Sequence, residues 1–144
     1  MTASTSIRVP RHFDAPPERV FDAFLDPAVA RRWLFASETT EATQVEIDPR
    51  VGGAWSVKHH RDHTDCSERG EYVEIARPTR LVFTFGRPQF SPAFDLVTVE
   101  LSREEGGCGV TLTQDGVPSD ASDASVDGWL QMFDELSALL AATP

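Results

Sequence analysis

Four side chains able to bind a metal or move a proton, His59, His60, His63 and Cys66, fall close together in the chain. Zinc requires its donors to converge on one tetrahedral point. His59 and His60 are neighbours in a strand-like run and so point to opposite faces, while His63 falls in a turn, so no metal site is expected. Nor is there a Gly-x-Ser-x-Gly nucleophile elbow or a phosphate-cradling glycine loop. Glu71 and Glu74 sit on opposite faces of their strand unless a bulge separates them. What remains is single inward polar groups. His59 shares a strand face with Trp55 and Val57, and Gln114 shares one with Val110 and Leu112. Each can orient a ligand by a hydrogen bond, and His59 can accept a proton from a substrate within reach. The alternative for both is a satisfied core or rim position. No catalytic residue is assigned and no cofactor is expected.

The elements that position these groups follow from the periods along the chain. Ile7, Val9 and Phe13 alternate with Arg8 and His12, the pattern of a half-buried strand. Asp14 is placed to cap the next helix, Pro16 and Pro17 fit its first turn, and Val20, Phe21, Phe24 and Leu25 recur at helical spacing. Asp26-Pro27 ends that helix and starts a second, with Val29, Trp33 and Leu34. From residue 44 the period returns to two, through Val45 and Ile47, then Trp55 to His59, a strand from Ser67 to Ile75, and Leu81, Phe83 and Phe85. Val97, Val99 and Leu101 follow, then Val110, Leu112 and Gln114. The breaks are a sharp turn at Gly52-Gly53, a hairpin tip over Arg61 to Asp65, a tight turn at Arg77-Pro78-Thr79, an irregular linker from Arg87 to Pro92 containing Phe90, and Gly106-Gly107. Five or six successive strands joined by short turns make an antiparallel meander, ended by Gly116-Val117-Pro118. Ser119 to Ala142 then sets Val126, Trp129, Leu130, Phe133, Leu136 and Leu140 on one face of the longest helix. Asp120, Asp123 and Asp127 lie where its macrodipole favours negative charge.

The 144 residues read as a single α+β domain, 1–144, able to bury a core without disulfide or metal. Cys66 and Cys108 have no metal-type spacing and read as two small thiols of a reduced compartment. With 13 Lys plus Arg against 23 Asp plus Glu, the formal charge is -10, which repels phosphate backbones and anionic headgroups. Nucleic acid and membranes are therefore not expected partners. Met1 to Ser6 lacks an apolar leader core, and no stretch reaches the ~18 apolar residues of a membrane span. A soluble, cytoplasmic protein is expected.

A sheet with one apolar face needs a cover, and only the last helix is long enough. Twist and the glycine bend make that face concave, and a straight helix does not fill it. Trp55, Phe83, Phe85, Trp129 and Phe133, with Tyr72 if its strand faces inward, either pack together as core or line a gap. Periodicity leaves both readings open.

Several segments resemble the START-like, or SRPBCC, superfamily, specifically bacterial single-domain members of the family named for the activator of heat-shock protein 90 ATPase. They are Val20-Phe21-Asp22-Ala23-Phe24-Leu25-Asp26-Pro27 running to Arg32-Trp33, Val45 to Trp55 with Gly52-Gly53, Gly70-Glu71-Tyr72-Val73-Glu74-Ile75 with Pro78, Leu81 to Phe85, and Gly128-Trp129. Their order and spacing span residues 7 to 140. Two positions depart from that pattern: Gln114, where relatives often carry His, and Leu34, where an aromatic often follows Trp33.

The resemblance implies a helix-grip fold of about six or seven antiparallel strands around the C-terminal helix, with two short helices after the first strand. It also implies a cavity for an apolar or aromatic small molecule, of lipid or polyketide kind, reached between the short helices and the long one. The expected wall is Trp33, Trp55, Val57, His59, Tyr72, Phe83, Phe85, Val97, Val99, Val110, Leu112, Gln114, Trp129 and Phe133. Some members of the superfamily are cyclases or hydrolases, so an enzyme using the same cavity is the alternative reading. A co-chaperone-like interaction module is a third, but no counterpart of the separate chaperone-binding domain is found here, so a chaperone partner is not expected. A homodimer is compatible with the resemblance.

Overall fold

The computed structural model describes residues 4–35, 44–61, 64–88 and 92–142, without the side chains of residues 60, 61, 64 and 65. The elements run β1 (Ser4–Phe13), α1 (Pro17–Leu25), α2 (Pro27–Trp33), β2 (Gln44–Ile47), β3 (Ala54–Arg61) and β4 (Thr64–Ala76). They continue through β5 (Arg80–Gly86), β6 (Phe94–Glu104), β7 (Gly107–Pro118), a 3-10 turn (Ser119–Ala121) and α3 (Ser122–Ala142). The strands form one seven-stranded sheet in the order β1-β7-β6-β5-β4-β3-β2. Every neighbouring pair is antiparallel. This is the expected curved sheet with two short early helices and a long C-terminal one, the helix-grip arrangement. Among the described residues no helix is long and apolar enough to cross a membrane.

Register explains the layering of the core. Val9 faces Leu112, Leu112 faces Val99, Val99 faces Leu81 and Leu81 faces Ile75, so one apolar row crosses five strands. The next inward row is Ile7, Gln114, Val97, Phe83 and Tyr72. Cross-strand neighbours on one face are close enough to pack as a unit. Phe13, Phe21, Trp33, Phe133 and Leu136 are fully buried. The Phe13 and Phe133 rings meet edge to face at 5.6 Å and those of Phe24 and Trp33 at 4.9 Å. Trp33 Nε1–H donates to the Ala23 carbonyl at 3.0 Å, which satisfies the one polar atom of that side chain and locks α2 on α1.

One local expectation is corrected and two are refined. Asp14 does not cap α1: Pro16 holds the N-cap position without a side-chain bond, and the Asp14 carboxylate lies 3.2 Å from His12 Nε2 instead. Asp26 is the working cap, accepting from the Ala28 N–H of α2 at 3.0 Å. Gly116-Val117-Pro118 ends the sheet as the last three residues of β7, which pairs with β1 as far as Pro118. Gly116, at φ 108°, is the extra residue where the register shifts opposite Thr5 and Ser6. A register shift between Tyr72 and Glu74 does introduce the irregularity that Glu71 and Glu74 would need to share a face, but Glu74 accepts from Arg80 Nε at 3.2 Å. Phe90 and His63 lie outside the described residues.

Gly70 lets the sheet and its aromatic cover come together. The Trp55 indole reaches from β3 across β4 to donate to the Thr84 carbonyl on β5 at 3.1 Å. A Cβ on Gly70 would overlap that carbonyl and stand 2.7 Å from Trp55 Nε1. A Gly70→Ala substitution is therefore expected to destabilise by about 2–3 kcal/mol, measurable by urea denaturation. At the other edge, His12 lies 2.9 Å from Glu104 and 3.2 Å from Asp14. The hydrogen bond to Glu104 and the charge of both carboxylates raise the His12 pKa above its ordinary value. This contact stabilises fully below the unfolded-state pKa and is lost as pH rises through the folded one. The stability difference between the wild type and His12→Gln should accordingly shrink as pH is raised from about 5 to about 8.

Candidate functional site

The N-terminal half of α3 does not fill the sheet it covers. A cavity of about 520 Å³ opens there, walled by Phe35, His59 of β3, Glu68 of β4, Phe85 and Arg87, Asp95 of β6, Gln114, Gly116, Val117 and Pro118 of β7, and one side of α3. The α3 side consists of Ala124, Ser125, Gly128, Trp129, Gln131 and Met132, with Ala121 in the turn before it. Ala121, Ser125 and Gly128 follow helical spacing, so a stripe of small residues withdraws volume where the helix faces the sheet. A Cβ built on Gly128 meets nothing within 4 Å. One turn further on, Phe133 and Leu136 are fully buried and the interior is closed.

Trp129 marks the boundary. Its Nε1–H donates to Gln114 Oε1 at 2.8 Å, and Gln114 Nε2 donates to Asp95 Oδ2 at 2.7 Å. This chain ties α3 to β7 and β6 through groups that would be costly to bury alone. A second polar pair stands in the same wall. His59 Nε2 lies 2.9 and 3.1 Å from the two carboxylate oxygens of Glu68, with both side chains no more than 4% exposed. Arg87 Nε approaches the same carboxylate at 3.8 Å. His59 Nδ1 is buried and meets no hydrogen-bond partner.

The apolar wall is built around Phe35, which follows α2 in left-handed backbone conformation, φ 56°. For a residue with a Cβ this conformation costs about 1–2 kcal/mol. Ring contacts offset it: Phe35 lies 5.8 Å from Trp55, 5.2 Å from Phe85 and 5.7 Å from Trp129, each worth about 0.5–1.5 kcal/mol. Its N–H also donates to Met132 Sδ at 3.1 Å.

Of the residues expected to line the cavity, His59, Phe85, Gln114 and Trp129 do so. Trp55, Tyr72 and Phe83 enclose only a remnant of about 10 Å³ with Phe24, Leu34 and Leu81. Trp33, Val57, Val97, Val99, Val110, Leu112 and Phe133 are packed into the core. The strand residues among them face inward as expected, but the space they border is filled by other side chains of the core. Among the described residues the wall takes Phe35, just after α2, but none within α1 or α2. Burial pushes the Cys108 thiol up to about 11 and also raises the Tyr72 phenol, with Asp48 adding to the latter. Both groups remain protonated near neutral pH.

Glu68, Phe35, Arg87 and Asp95 carry no motif. Glu68 was nevertheless accessible to reasoning by parity: if Tyr72 faces inward, so do Gly70, Glu68 and Cys66 on the same strand. Asp95 could be found the same way from Val97 and Val99. Phe35 had no such signal, because it owes its position to a backbone turn outside any periodic element.

A family model described as Activator of Hsp90 ATPase homolog 1-like protein matches residues 14–141. None of the curated proteins matches the chain. Among solved structures, protein CV1439 from Chromobacterium violaceum is 31% identical with a TM-score of 0.84, over 93% of this chain and 95% of that one. An AHSA1-like protein from Aeromonas hydrophila is 25% identical with a TM-score of 0.81, over 96% and 93% of the respective chains. A Staphylococcus aureus protein of unknown function, at 19% identity, TM-score 0.87 and 99% and 96% coverage, shares the fold.

If the Trp129 tie positions α3, Trp129→Phe should keep the aromatic body but strand Gln114 Oε1. Chemical denaturation is expected to show a loss of about 1–3 kcal/mol.

Proposed function

Because the chain belongs to the Activator of Hsp90 ATPase homolog 1-like family, and because its interior keeps an open volume beside Trp129, we propose that it binds a small molecule with an apolar or aromatic body. The observation that carries this reading is the cavity of about 520 Å³ itself. It falls within the size range of small-molecule sites and pairs aromatic walls with a few convergent polar groups. Phe35, Phe85 and Trp129 supply the faces against which a flat apolar body packs, and His59, Glu68, Arg87, Asp95 and Gln114 supply the polar side. That mixture favours an amphipathic ligand over a bare hydrocarbon, since a purely apolar body would bury the polar wall without replacing its contacts with water.

Burying ~300 Å² of apolar ligand surface contributes on the order of 7 kcal/mol gross. Lost translational and rotational freedom reduces this, giving dissociation constants around micromolar. The Trp129 indole forms part of the wall and reports occupancy by its fluorescence.

A panel of aromatic polyketides, hydroxylated aromatics, sterols and fatty acids should include compounds that change tryptophan emission and raise the melting temperature. A panel that moves neither would overturn the reading. Gly128→Leu supplies the control. Its side chain enters open space within the cavity, so binding should fall at least about tenfold while helix propensity leaves the melting temperature unchanged or raised. Unaltered affinity in this variant would place the ligand elsewhere.

A further inference from the structure

We infer that His59 Nδ1 is the point at which the cavity recognises its ligand, and that the ligand carries a hydroxyl, a phenol or alcohol on an apolar body, whose O–H donates to that nitrogen. This rests on the reading of the cavity as a small-molecule site and adds the chemistry of the ligand's polar end.

The argument begins with the pairing of His59 and Glu68. A carboxylate has no proton to give, so it accepts, and His59 Nε2 is the donor at 2.9 Å and 3.1 Å. In the neutral ring this assigns the proton to Nε2 and leaves Nδ1 a bare acceptor. Glu68 therefore fixes both the orientation of the ring and the polarity of its free edge, as a carboxylate behind an imidazole does in metal and catalytic sites. Among the described residues, Nδ1 is the buried side-chain polar atom with no partner. A group in that state requires an explanation, and the ring forms part of the cavity wall.

The surroundings narrow the kind of donor that fits. Nδ1 is closed even to water as the structure stands, so a ligand hydroxyl reaches it only by displacing an adjoining side chain of the wall, which a packed apolar body does and a lone water does not. The nearby Gln114 amide is already engaged at both ends, by Trp129 and Asp95. Among the described residues, Glu68 and Asp95 place two carboxylates in the wall against the single guanidinium of Arg87, which disfavours an anionic ligand. A neutral O–H satisfies the acceptor without adding charge. The faces of Phe35, Phe85 and Trp129 take the apolar remainder.

The test uses three probes of one shape: 2-naphthol, 2-methoxynaphthalene and 2-naphthoate, titrated by calorimetry into the whole chain. Naphthol should bind at least about tenfold more tightly than its methyl ether. The preference should disappear in His59→Phe/Glu68→Leu, which removes the acceptor without leaving a carboxylate buried alone. The imidazole nitrogen spectrum of the wild-type protein should show His59 Nδ1 shifting with naphthol and not with the ether, an outcome that decides the matter even if the double variant fails to fold. Equal affinity for naphthol and ether, tightest binding of naphthoate, or a preference that survives in a folded double variant would overturn the inference. In those cases the cavity still binds and only the role of His59 fails. If none of the three probes binds, the inference fails as stated for a naphthalene-sized body, and the cavity reading is decided separately by the broader panel.

Discussion

A straight helix laid across a curved sheet leaves a gap at one end, and the interior of this protein is organised by how that gap is met. Along the second half of α3 the gap is closed by large side chains, with Phe133 and Leu136 fully buried against Phe13 and the short helices. Along the first half, Ala124, Ser125 and Gly128 withdraw volume where the sheet bends away. The Trp129 hydrogen bond to Gln114 stands between the two regimes. It fixes the height of α3 above β7 at the point where packing gives way to open space, because a buried indole N–H and a buried amide oxygen are each costly without the other.

The sheet is graded along the same direction. Its rows of inward side chains are apolar under the closed end, from Val9 through Leu112 and Val99 to Leu81. One row on, Gln114 enters, and beyond it the inward positions include Asp95, Glu68 and His59. Burying such groups is tolerable only where each has a partner. Two pairings supply this, Gln114 with Asp95 and His59 with Glu68. Both connect neighbouring strands, so the polar wall also holds the sheet together where α3 gives it less support.

Membership of the family accounts for the framework and leaves the chemical character of the cavity to this chain's own side chains, since function resides in the groups that a fold presents and not in the fold itself. Here those groups combine three aromatic faces with a buried imidazole backed by a carboxylate. The left-handed backbone at Phe35 is part of the same design: it carries a ring from the end of α2 into contact with Trp55, Phe85 and Trp129, so the aromatic wall draws on the sheet, the long helix and the segment between α2 and β2.

Elements with a strict period were legible in the sequence. The alternation of Ile7, Val9 and Phe13, the runs from Trp55 and Leu81, and the helical stripe ending in Leu140 each state locally which face is buried, because burial repeats with the geometry of the backbone. The resemblance in segments such as Val20 to Pro27 and Val45 to Trp55 then gave the arrangement of those elements. What the period does not contain is the distance between faces that meet. Val97, Val99 and Phe133 carry the same inward signal as Phe85 and Trp129, yet the first three are core and the last two border open space. That difference depends on where a straight helix parts from a bent sheet. The pairing of Glu68 with His59 is likewise a matter of register between β3 and β4. Local patterns marked the buried side of the strictly periodic elements; only their assembly decided which inward side chains touch each other and which face a space.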